Sequence, residues 1–438
     1  MKVFVQTFGC QMNVHDSGRI REIMRQAGYE PTDDPGDADV AIVNSCSIRE
    51  KARHKAISAA GRLRQLKRRR TGMKIVFAGC VAEQDGASLF DLLPGIDAVI
   101  GPDHYAALPG LVAQAGAGGS PVATIGFDNG GPDNFLAATP GPDLSDATAF
   151  VTVMKGCEER CAYCIVPQVR GPERHRPLAD IVEEARMLVG RGVREITLLG
   201  QKVNSYRSGD RSFTDLIEAL DGVSGLSRIR FTSPHPRHMD DRLIRAFGRV
   251  GTLCEAIHIP VQSGSNGVLK RMGRAYTVER FVEIADALRD SCPGILISTD
   301  LIVGFPGETV TDFEDTLRLI ERVRFSGVFS FKYSPRPGTP SSSLADDVVS
   351  AEKARRLAAV HEVTTAVERG IRESFVGKAL EVLVDGEGRI PGQLSGRARN
   401  NQIVNFAMVN GSAKGETRGR LVQVEVTQAL PHCLEGRA

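Results

Sequence analysis

The pattern of apolar and polar positions predicts three folded regions, the first over residues 1–112. Short apolar runs alternate there with amphipathic helical stretches, and the runs occupy residues 2–9, 39–44, 74–78 and 97–100. Strands that alternate with helices predict an α/β fold with a doubly wound parallel sheet. Asp16 and Ser17 are residue types typical of a helix N-cap, so they predict a first helix that starts there and stops at Gly28.

The second region, residues 149–372, contains six strand-like runs separated by amphipathic stretches such as residues 178–189 and 277–288. The runs occupy residues 150–154, 195–199, 228–231, 256–260, 296–303 and 328–333. Six βα units are too few to close an eight-stranded barrel. The pattern therefore predicts a partial (β/α)6 barrel.

Residues 113–148 and 373–438 have different patterns. The first segment is rich in Gly and Pro and predicts a linker, although Val122, Ile125 and Phe127 indicate that part of it packs as a strand. In residues 373–438, β-rich runs alternate with Gly-rich turns and predict a small antiparallel β-barrel.

Composition is typical of an intracellular enzyme. The chain has 438 residues, 42% hydrophobic residues and a net charge of +2, so any nucleic-acid surface must be local. Its nine cysteines are an odd number and are clustered, which favours reduced thiols over a disulfide framework. No apolar run has the length of a signal peptide core or of a membrane span, so we expect a cytoplasmic protein that does not insert into membranes.

Three cysteines within eight residues carry the clearest chemical signal. Cys157, Cys161 and Cys164 have the spacing CxxxCxxC, and the closest downstream histidine is His175. Structural zinc takes four ligands, whereas three thiolates suit a [4Fe–4S] cluster with one iron left open for a small molecule. A zinc site with a remote fourth ligand and a chance grouping are the alternatives.

A second group of cysteines is dispersed along the chain. Cys10, Cys46 and Cys80 each follow a predicted strand, and the carboxyl ends of parallel strands share one edge of a sheet. The three thiols could therefore bind one cluster, but three core cysteines explain the pattern equally well. Isolated cysteines usually behave as small apolar residues, which is what we expect of Cys254, Cys292 and Cys433.

Further stretches resemble the methylthiotransferases over nearly the whole chain. Residues 8–13, FGCQMN, followed by Asp16 and Ser17 resemble the opening of that family. NSCSIREKA at residues 44–52, LLGQKVN at 198–204 and RFTSPHP at 230–236 resemble NTCSIREKA, LLGQNVN and RFTTSHP of its MiaB branch. DLIVGFPGET at residues 300–309 is similar to the run DFIVGFPGET of the radical S-adenosylmethionine (SAM) domain. The C-terminal region is similar to the TRAM module, which binds RNA.

The resemblance implies a radical-SAM tRNA-modifying enzyme. The family adds a methylthio group to carbon 2 of N6-isopentenyladenosine, next to the anticodon, and uses SAM both as methyl donor and as radical source. Two [4Fe–4S] clusters are implied, one on Cys157, Cys161 and Cys164 and an auxiliary one on Cys10, Cys46 and Cys80. Expected partners are tRNA, an electron donor such as flavodoxin or ferredoxin, and a sulfur source. We expect a monomer.

The same resemblance implies weaker assignments at the SAM site. Tyr163 precedes the third cysteine, where related enzymes place an aromatic ring against the adenine. Residues at predicted strand ends complete the set of SAM contacts: Gly200, Gln201, Ser233, Gln262, Gly304 and Glu308. Turn glycines and polar strand ends are common, so a structural role is the alternative for each. The chain departs from the family pattern at Ser45, Gln168, Lys202 and Pro234.

Two basic surfaces are candidates for RNA contact. Residues 49–70 contain ten Lys or Arg against one acid, Glu50, and end in Lys67–Arg70, so they either grip phosphates or form a solvated helical face. The C-terminal barrel has six basic residues near its turns: Arg389, Arg397, Arg399, Lys414, Arg418 and Arg420.

Two rival functions remain at this stage. One is that of the RimO branch, which methylthiolates an aspartate of a ribosomal protein; its pattern differs around the first cysteine and after the second barrel strand. The other is a non-catalytic iron–sulfur sensor that binds RNA, which would need one cluster but no SAM site.

Overall fold

The computed structural model describes residues 1–48, 50–116, 120–127, 135, 147–408 and 418–438. Arg49, Lys414 and most of the predicted linker lie outside the described residues. Within that linker, the predicted strand is confirmed at Val122–Thr124.

The N-terminal region forms a six-stranded parallel sheet of order β2-β1-β3-β4-β5-β6. Its strands are β1 (Lys2–Phe8), β2 (Glu30–Pro31), β3 (Val40–Ser45), β4 (Lys74–Gly79), β5 (Ala98–Ile100) and β6 (Val122–Thr124). Its helices are α1 (Gln11–Gln26), α2 (Glu50–Arg69), α3 (Cys80–Asp85), α4 (Ser88–Leu92) and α5 (Leu108–Gly116). Separate apolar clusters cover the two faces of the sheet, so the doubly wound arrangement is confirmed.

The predicted start of α1 is wrong. The helix begins at Gln11, with Cys10 as N-cap and no side-chain capping hydrogen bond. Asp16 and Ser17 instead lie inside the helix and are each 1% exposed. The Ser17 hydroxyl contacts Thr7 Oγ1 at 2.6 Å and accepts from Asn44 Nδ2 at 2.9 Å. Their polarity therefore serves tertiary contacts and not capping.

The central region is a partial barrel of six parallel strands in chain order, in two hydrogen-bonded groups, β13-β10-β7 and β14-β15-β16. A parallel bridge between Ile229 and Leu253 connects the groups. The barrel strands are β7 (Thr148–Thr152), β10 (Glu195–Leu199), β13 (Arg228–Phe231), β14 (Ala256–His258), β15 (Leu296–Val303) and β16 (Gly327–Lys332). Two short antiparallel pairs flank them: β8 (Met154–Lys155) with β9 (Arg174–His175), and β11 (Arg207–Ser208) with β12 (Arg211–Ser212).

Eight helices of this region surround the barrel or extend its strands. They are α6 (Val166–Arg170), α7 (Leu178–Gly190), α8 (Phe213–Asp221), α9 (Asp241–Arg249), α10 (Asn266–Arg271), α11 (Val278–Ser291), α12 (Val310–Val323) and α13 (Ser350–Glu373). One apolar cluster joins helices and strands into a single core, so the (β/α)6 prediction is confirmed.

The C-terminal region is a closed five-stranded barrel of order β17-β18-β19-β21-β20. Its strands are β17 (Ala379–Glu387), β18 (Gln393–Ala398), β19 (Ile403–Ala407), β20 (Leu421–Ala429) and β21 (Leu434–Arg437). The barrel is predicted correctly, but it is not wholly antiparallel because β19 and β21 pair in parallel.

An arginine network attaches this C-terminal barrel to the central region. Arg228, the first residue of β13, donates to the Arg397 carbonyl at 2.6 Å and to Glu381, and Arg230 donates to the Ala398 carbonyl at 2.9 Å. Arg399 donates to both Glu255 oxygens at 3.0 Å. The attachment lies where the barrel strands begin, which is the end opposite to their carboxyl ends.

Candidate active site

The sheet register places three cysteines side by side. Cys10 follows β1, Cys46 follows β3, and Cys80 begins α3 directly after β4. The ends of these neighbouring strands are aligned, with Phe8 beside Ser45 and Ser45 beside Gly79. We call Cys10, Cys46 and Cys80 the N-terminal thiol set.

Cys46 lies close to the other two thiols of this set. Its interactions with Cys10 and Cys80 raise the pKa of Cys46. The interaction with Cys46, together with the charge of Arg170, lowers the pKa of Cys10 to about 6 and that of Cys80 to about 7, against the opposing effect of burial. Thiolates are the form that binds iron, so the surroundings favour ligation.

A buried amide network fixes the loops that carry these thiols. Asn13 Nδ2 donates to Asn44 Oδ1 and to the Ser45 carbonyl, both at 3.2 Å. Asn44 Nδ2 donates in turn to the Asn13 carbonyl at 2.9 Å. Gly79 has a φ of +94°, and a Cβ there would overlap the Asn44 side chain. The network therefore fixes the loops after β1, β3 and β4, and the cysteines that they carry, relative to one another.

Arg170 reaches the N-terminal thiol set from the central region. It is the last residue of α6, and its Nε donates to Cys80 Sγ at 3.2 Å. Its Nη2 lies 2.8 Å from Asp16 Oδ2, and both side chains are at least 96% buried. The sequence pattern did not single out Arg170 and predicted Asp16 only as a helix cap, because only the tertiary fold brings both residues to the thiols.

Cys157, Cys161 and Cys164 form a second group, the central thiol set, on one loop after β8. Gly156 has a φ of +81°, and a Cβ there would overlap the Pro172 carbonyl. Backbone bonds hold the loop: Cys157 N donates to the Gly171 carbonyl at 3.1 Å, and Cys164 N to the Cys161 carbonyl at 3.0 Å. Arg274 Nη1 donates to Cys161 Sγ at 3.3 Å.

The electrostatics of the central thiol set differ from those of the N-terminal one. Burial raises the pKa of Cys157 to about 11 and that of Cys164 to about 12. Iron would have to displace these protons, since thiolates are the ligands. Among the described residues, no three His, Cys, Asp or Glu side chains are arranged for a single metal ion. A [4Fe–4S] cluster requires a different arrangement, because its thiolates bind separate irons.

The predicted SAM-contact residues lie after the carboxyl ends of the barrel strands. Gly200 and Gln201 follow β10, Ser233 follows β13, Gln262 follows β14, and Gly304 follows β15. These positions share the rim that carries the central thiol set, where such barrels place their chemistry.

Backbone strain marks two of these positions. Ser233 has a φ of +59° and Gln262 a φ of +75°, which are uncommon for residues other than glycine. Strained residues of this kind cluster at ligand sites. Their contact with SAM stays a prediction.

Other predicted residues have structural contacts as well. Gln201 Oε1 accepts from Gly156 N at 2.5 Å, which fixes the start of the cysteine loop. Glu308 accepts from the amides of Gly304 and Phe305 and pairs with Arg356 at 3.4 Å, so its carboxylate stabilises its own turn. Tyr163 packs in an apolar cluster with Met272 and Phe305.

Lys202 has a role that the sequence did not indicate. Its Nζ lies 2.8 Å from Glu159 Oε1 and 2.7 Å from Glu173 Oε1, and it is 6% exposed. Burial opposes ionisation of Glu159, but the hydrogen bond from Lys202 and the charge of His235 lower its pKa to about 2. Glu159 lies between Cys157 and Cys161, so Lys202 anchors the cysteine loop.

Ion pairs use part of the positive charge on both predicted RNA surfaces, whose contact with RNA stays a prediction. Lys67 Nζ pairs with Asp97 at 2.5 Å and Arg70 with Asp39 at 2.7 Å, so two of the four terminal charges of α2 are already compensated. The twenty residues of α2 also place that end about 30 Å from its start near Cys46. On the C-terminal barrel, Arg399 is used in the attachment to Glu255.

Comparison with known proteins agrees with this architecture. Family models match residues 2–101 (Uncharacterized protein family UPF0004), 151–320 (Radical SAM superfamily) and 373–438 (TRAM domain). A relative from Sorangium cellulosum named tRNA-2-methylthio-N(6)-dimethylallyladenosine synthase is 44% identical over 98% of this chain and 92% of its own. The chain belongs to this synthase family. The Geobacter sulfurreducens member is 44% identical over 99% of this chain and 96% of its own.

Solved structures of other proteins have a fold similar to that of this synthase family member. The radical S-adenosylmethionine methyltransferase TsrM from Kitasatospora setae, with tryptophan and aza-SAM bound, gives a TM-score of 0.58 at 15% identity, over 78% of this chain and 75% of TsrM. The cobalamin-dependent radical enzyme OxsB gives 0.54 at 11% identity, over 83% of this chain and 56% of OxsB. At these identities the likeness concerns the fold alone.

Proposed function

We propose that this chain is a tRNA methylthiotransferase that adds a methylthio group to carbon 2 of N6-isopentenyladenosine, next to the anticodon. The observation that carries the proposal is its 42–44% identity over nearly the full chain to relatives named for this reaction. The RimO-type reaction and the non-catalytic sensor are not favoured by these relatives.

Two [4Fe–4S] clusters and SAM are the proposed cofactors. The Radical SAM superfamily implies one cluster and SAM, and the central thiol set would hold that cluster. The N-terminal thiol set would hold the second, because three adjacent thiols with lowered pKa at two positions suit an iron cluster. When bound, these groups supply one-electron and methyl-transfer chemistry, and the protein supplies position and exclusion of water.

The residues of the chain have separate tasks in this proposal. The amide network around Asn13 and Asn44 fixes the N-terminal thiols, whereas Lys202, Gln201 and the backbone bonds of the loop fix the central ones. The strand ends at Ser233 and Gln262 would contact SAM at the barrel rim. The TRAM region would bind tRNA, as its fold and its exposed Arg389 and Arg420 suggest.

Other parts of the proposal concern the surroundings of the enzyme. A flavodoxin or ferredoxin would deliver electrons, a separate donor would supply sulfur, and the chain would act as a cytoplasmic monomer. Among the described residues, no helix combines the length and apolar character needed to cross a membrane.

Mass spectrometry of tRNA nucleosides tests the function directly. A bacterial strain that lacks its own methylthiotransferase accumulates unmodified N6-isopentenyladenosine, and expression of this chain should restore the methylthio form. The matched control is the Cys157→Ala variant, which should leave the nucleoside unmodified. Absence of methylthiolated nucleoside with the unaltered chain, at normal expression, would reject the function.

A further inference from the structure

The chain segment that ends at Arg170 runs from the central thiol set to the N-terminal one. It ends the five-residue helix α6, which begins two residues after Cys164 of the central set. Ile165 and Val169 of this segment pack against Cys80 in one buried cluster. A residue of the central region therefore forms part of the wall of the N-terminal thiol site.

The described part of the protein does not supply an acceptor for every hydrogen-bond donor of Arg170. The side chain is 4% exposed, and Asp16 is the acid paired with it. One donor, Nε, is used on Cys80. Nη2 faces Asp16 Oδ2 at 2.8 Å, whereas Nη1 is buried and has no hydrogen-bond partner among the described residues. Buried donors without acceptors are costly and rare, so they indicate a group that occupies the site when it is complete.

We propose that Arg170 binds an anionic sulfur species, of the hydrosulfide or methanethiolate class, beside the cluster of the N-terminal thiol set. This inference rests on the proposed function, which needs sulfur to be held there. Arginine suits the task because it stays charged and offers several N–H donors in one plane. Its bond to Cys80 also places the arginine charge next to a proposed cluster ligand. Hydrogen bonds to cluster sulfurs and local charge influence the reduction potential, so Arg170 should affect the potential as well.

Arg274 offers a matched comparison. It is also buried and donates to one thiol, but that thiol is Cys161 of the central thiol set. Its remaining donors are used: Nε on Tyr276 at 2.8 Å and Nη2 on the Pro260 carbonyl at 3.3 Å. Each nitrogen of Arg274 therefore has a protein partner, whereas Nη1 of Arg170 has none within the residues that the structure describes.

The test uses a full-length background with Cys157→Ala, Cys161→Ala and Cys164→Ala, in which the N-terminal site is isolated. Iron is quantified after anaerobic reconstitution, and sodium hydrosulfide is then titrated while electron paramagnetic resonance is recorded. Arg170→Lys keeps the charge beside Asp16 but loses donors, and we expect hydrosulfide affinity about tenfold weaker. The neutral pair Arg170→Gln/Asp16→Asn should bind still more weakly and should lower the midpoint potential of the cluster.

Arg274→Gln in the same background is the control and should leave both quantities unchanged. Full iron content with unaltered hydrosulfide affinity and potential in both Arg170 variants would overturn the inference alone. Absence of iron in the background with Arg170 intact would overturn the auxiliary cluster of the proposed function, and this inference with it. If the Arg170→Gln/Asp16→Asn variant fails to fold, the Arg170→Lys variant still provides the test, because it retains the ion pair with Asp16.

Discussion

The N-terminal and central thiol sets contrast in how they are assembled. The central set occupies eight consecutive residues on one loop, whereas the N-terminal set takes one thiol from the end of each of three adjacent strands. Their charges differ as well: Arg170 and thiol–thiol contacts lower two pKa values in the N-terminal set, and burial raises two in the central set. A local motif and a sheet edge thus present the same three-thiol donor set, with different electrostatics.

This contrast predicts that the two sets can be inactivated separately, and Cys46→Ala should have the largest effect. Methylthiolated nucleoside should fall to the detection limit, because the N-terminal set loses its middle ligand. SAM cleavage to 5′-deoxyadenosine should continue, because the central set is intact. Liquid chromatography of both products measures the outcome, with Cys254→Ala as a buried-cysteine control. Normal methylthiolation by Cys46→Ala would remove the distinction between the sets.

Lys202→Met should weaken the central set selectively. It leaves the Glu159 and Glu173 carboxylates without their shared cation, and loss of one partner of a buried ion pair costs about 3 kcal/mol. Thermal unfolding and iron content are the measurements. Lys202→Arg, which keeps the charge, is the control. Equal iron loss from both sets would show that Lys202 does not act through the cysteine loop.

Gln201→Ala tests the same loop with a smaller expected effect. The Gly156 amide loses its acceptor, at a cost of about 1–2 kcal/mol. Iron on the central set should then be removed faster by a chelator, while the rate for the N-terminal set is unchanged. Gln201→Glu keeps an acceptor oxygen and should restore the slower rate. Identical chelation kinetics in all three proteins would contradict this role.

Charges on α2 extend the comparison to tRNA, with the smallest expected change. Lys51 and Lys55 are exposed near the sheet edge that carries Cys46, whereas Arg68 and Arg69 lie at the far end of the helix. If tRNA reaches both thiol sets, Lys51→Gln/Lys55→Gln should flatten the slope of log affinity against log salt by about one unit per lost contact. Arg68→Gln/Arg69→Gln should have less effect. A larger effect of Arg68→Gln/Arg69→Gln on the salt dependence would place the RNA at the C-terminal end of α2, away from Cys46.

The elements with strong local patterns could be predicted from the sequence. Strands β10, β13 and β15 have their predicted bounds, because β-branched and other apolar residues recur through each of them. The CxxxCxxC loop is likewise a local signal. Convergence of Cys10, Cys46 and Cys80 required the resemblance, because sequence patterns fix strand ends but not which strands are neighbours.

Polar residues with distant partners were the hardest to interpret from the sequence. Asp16 looked like a helix cap, yet it pairs with Arg170 more than 150 residues away. Arg399, a candidate for RNA contact, binds Glu255, and Lys202, a departure from the family pattern, anchors the cysteine loop. Polarity alone does not distinguish exposure to solvent from a buried ion pair, since both use the same residue types.

Iron stoichiometry of matched variants tests the central claim most directly. The unaltered chain should hold about eight irons after reconstitution, as two [4Fe–4S] clusters require. Alanine at all three positions of either thiol set should leave about half of that iron, and alanine at all six should leave none. Loss of all iron from one triple variant, or full iron in either, would contradict two independent cluster sites.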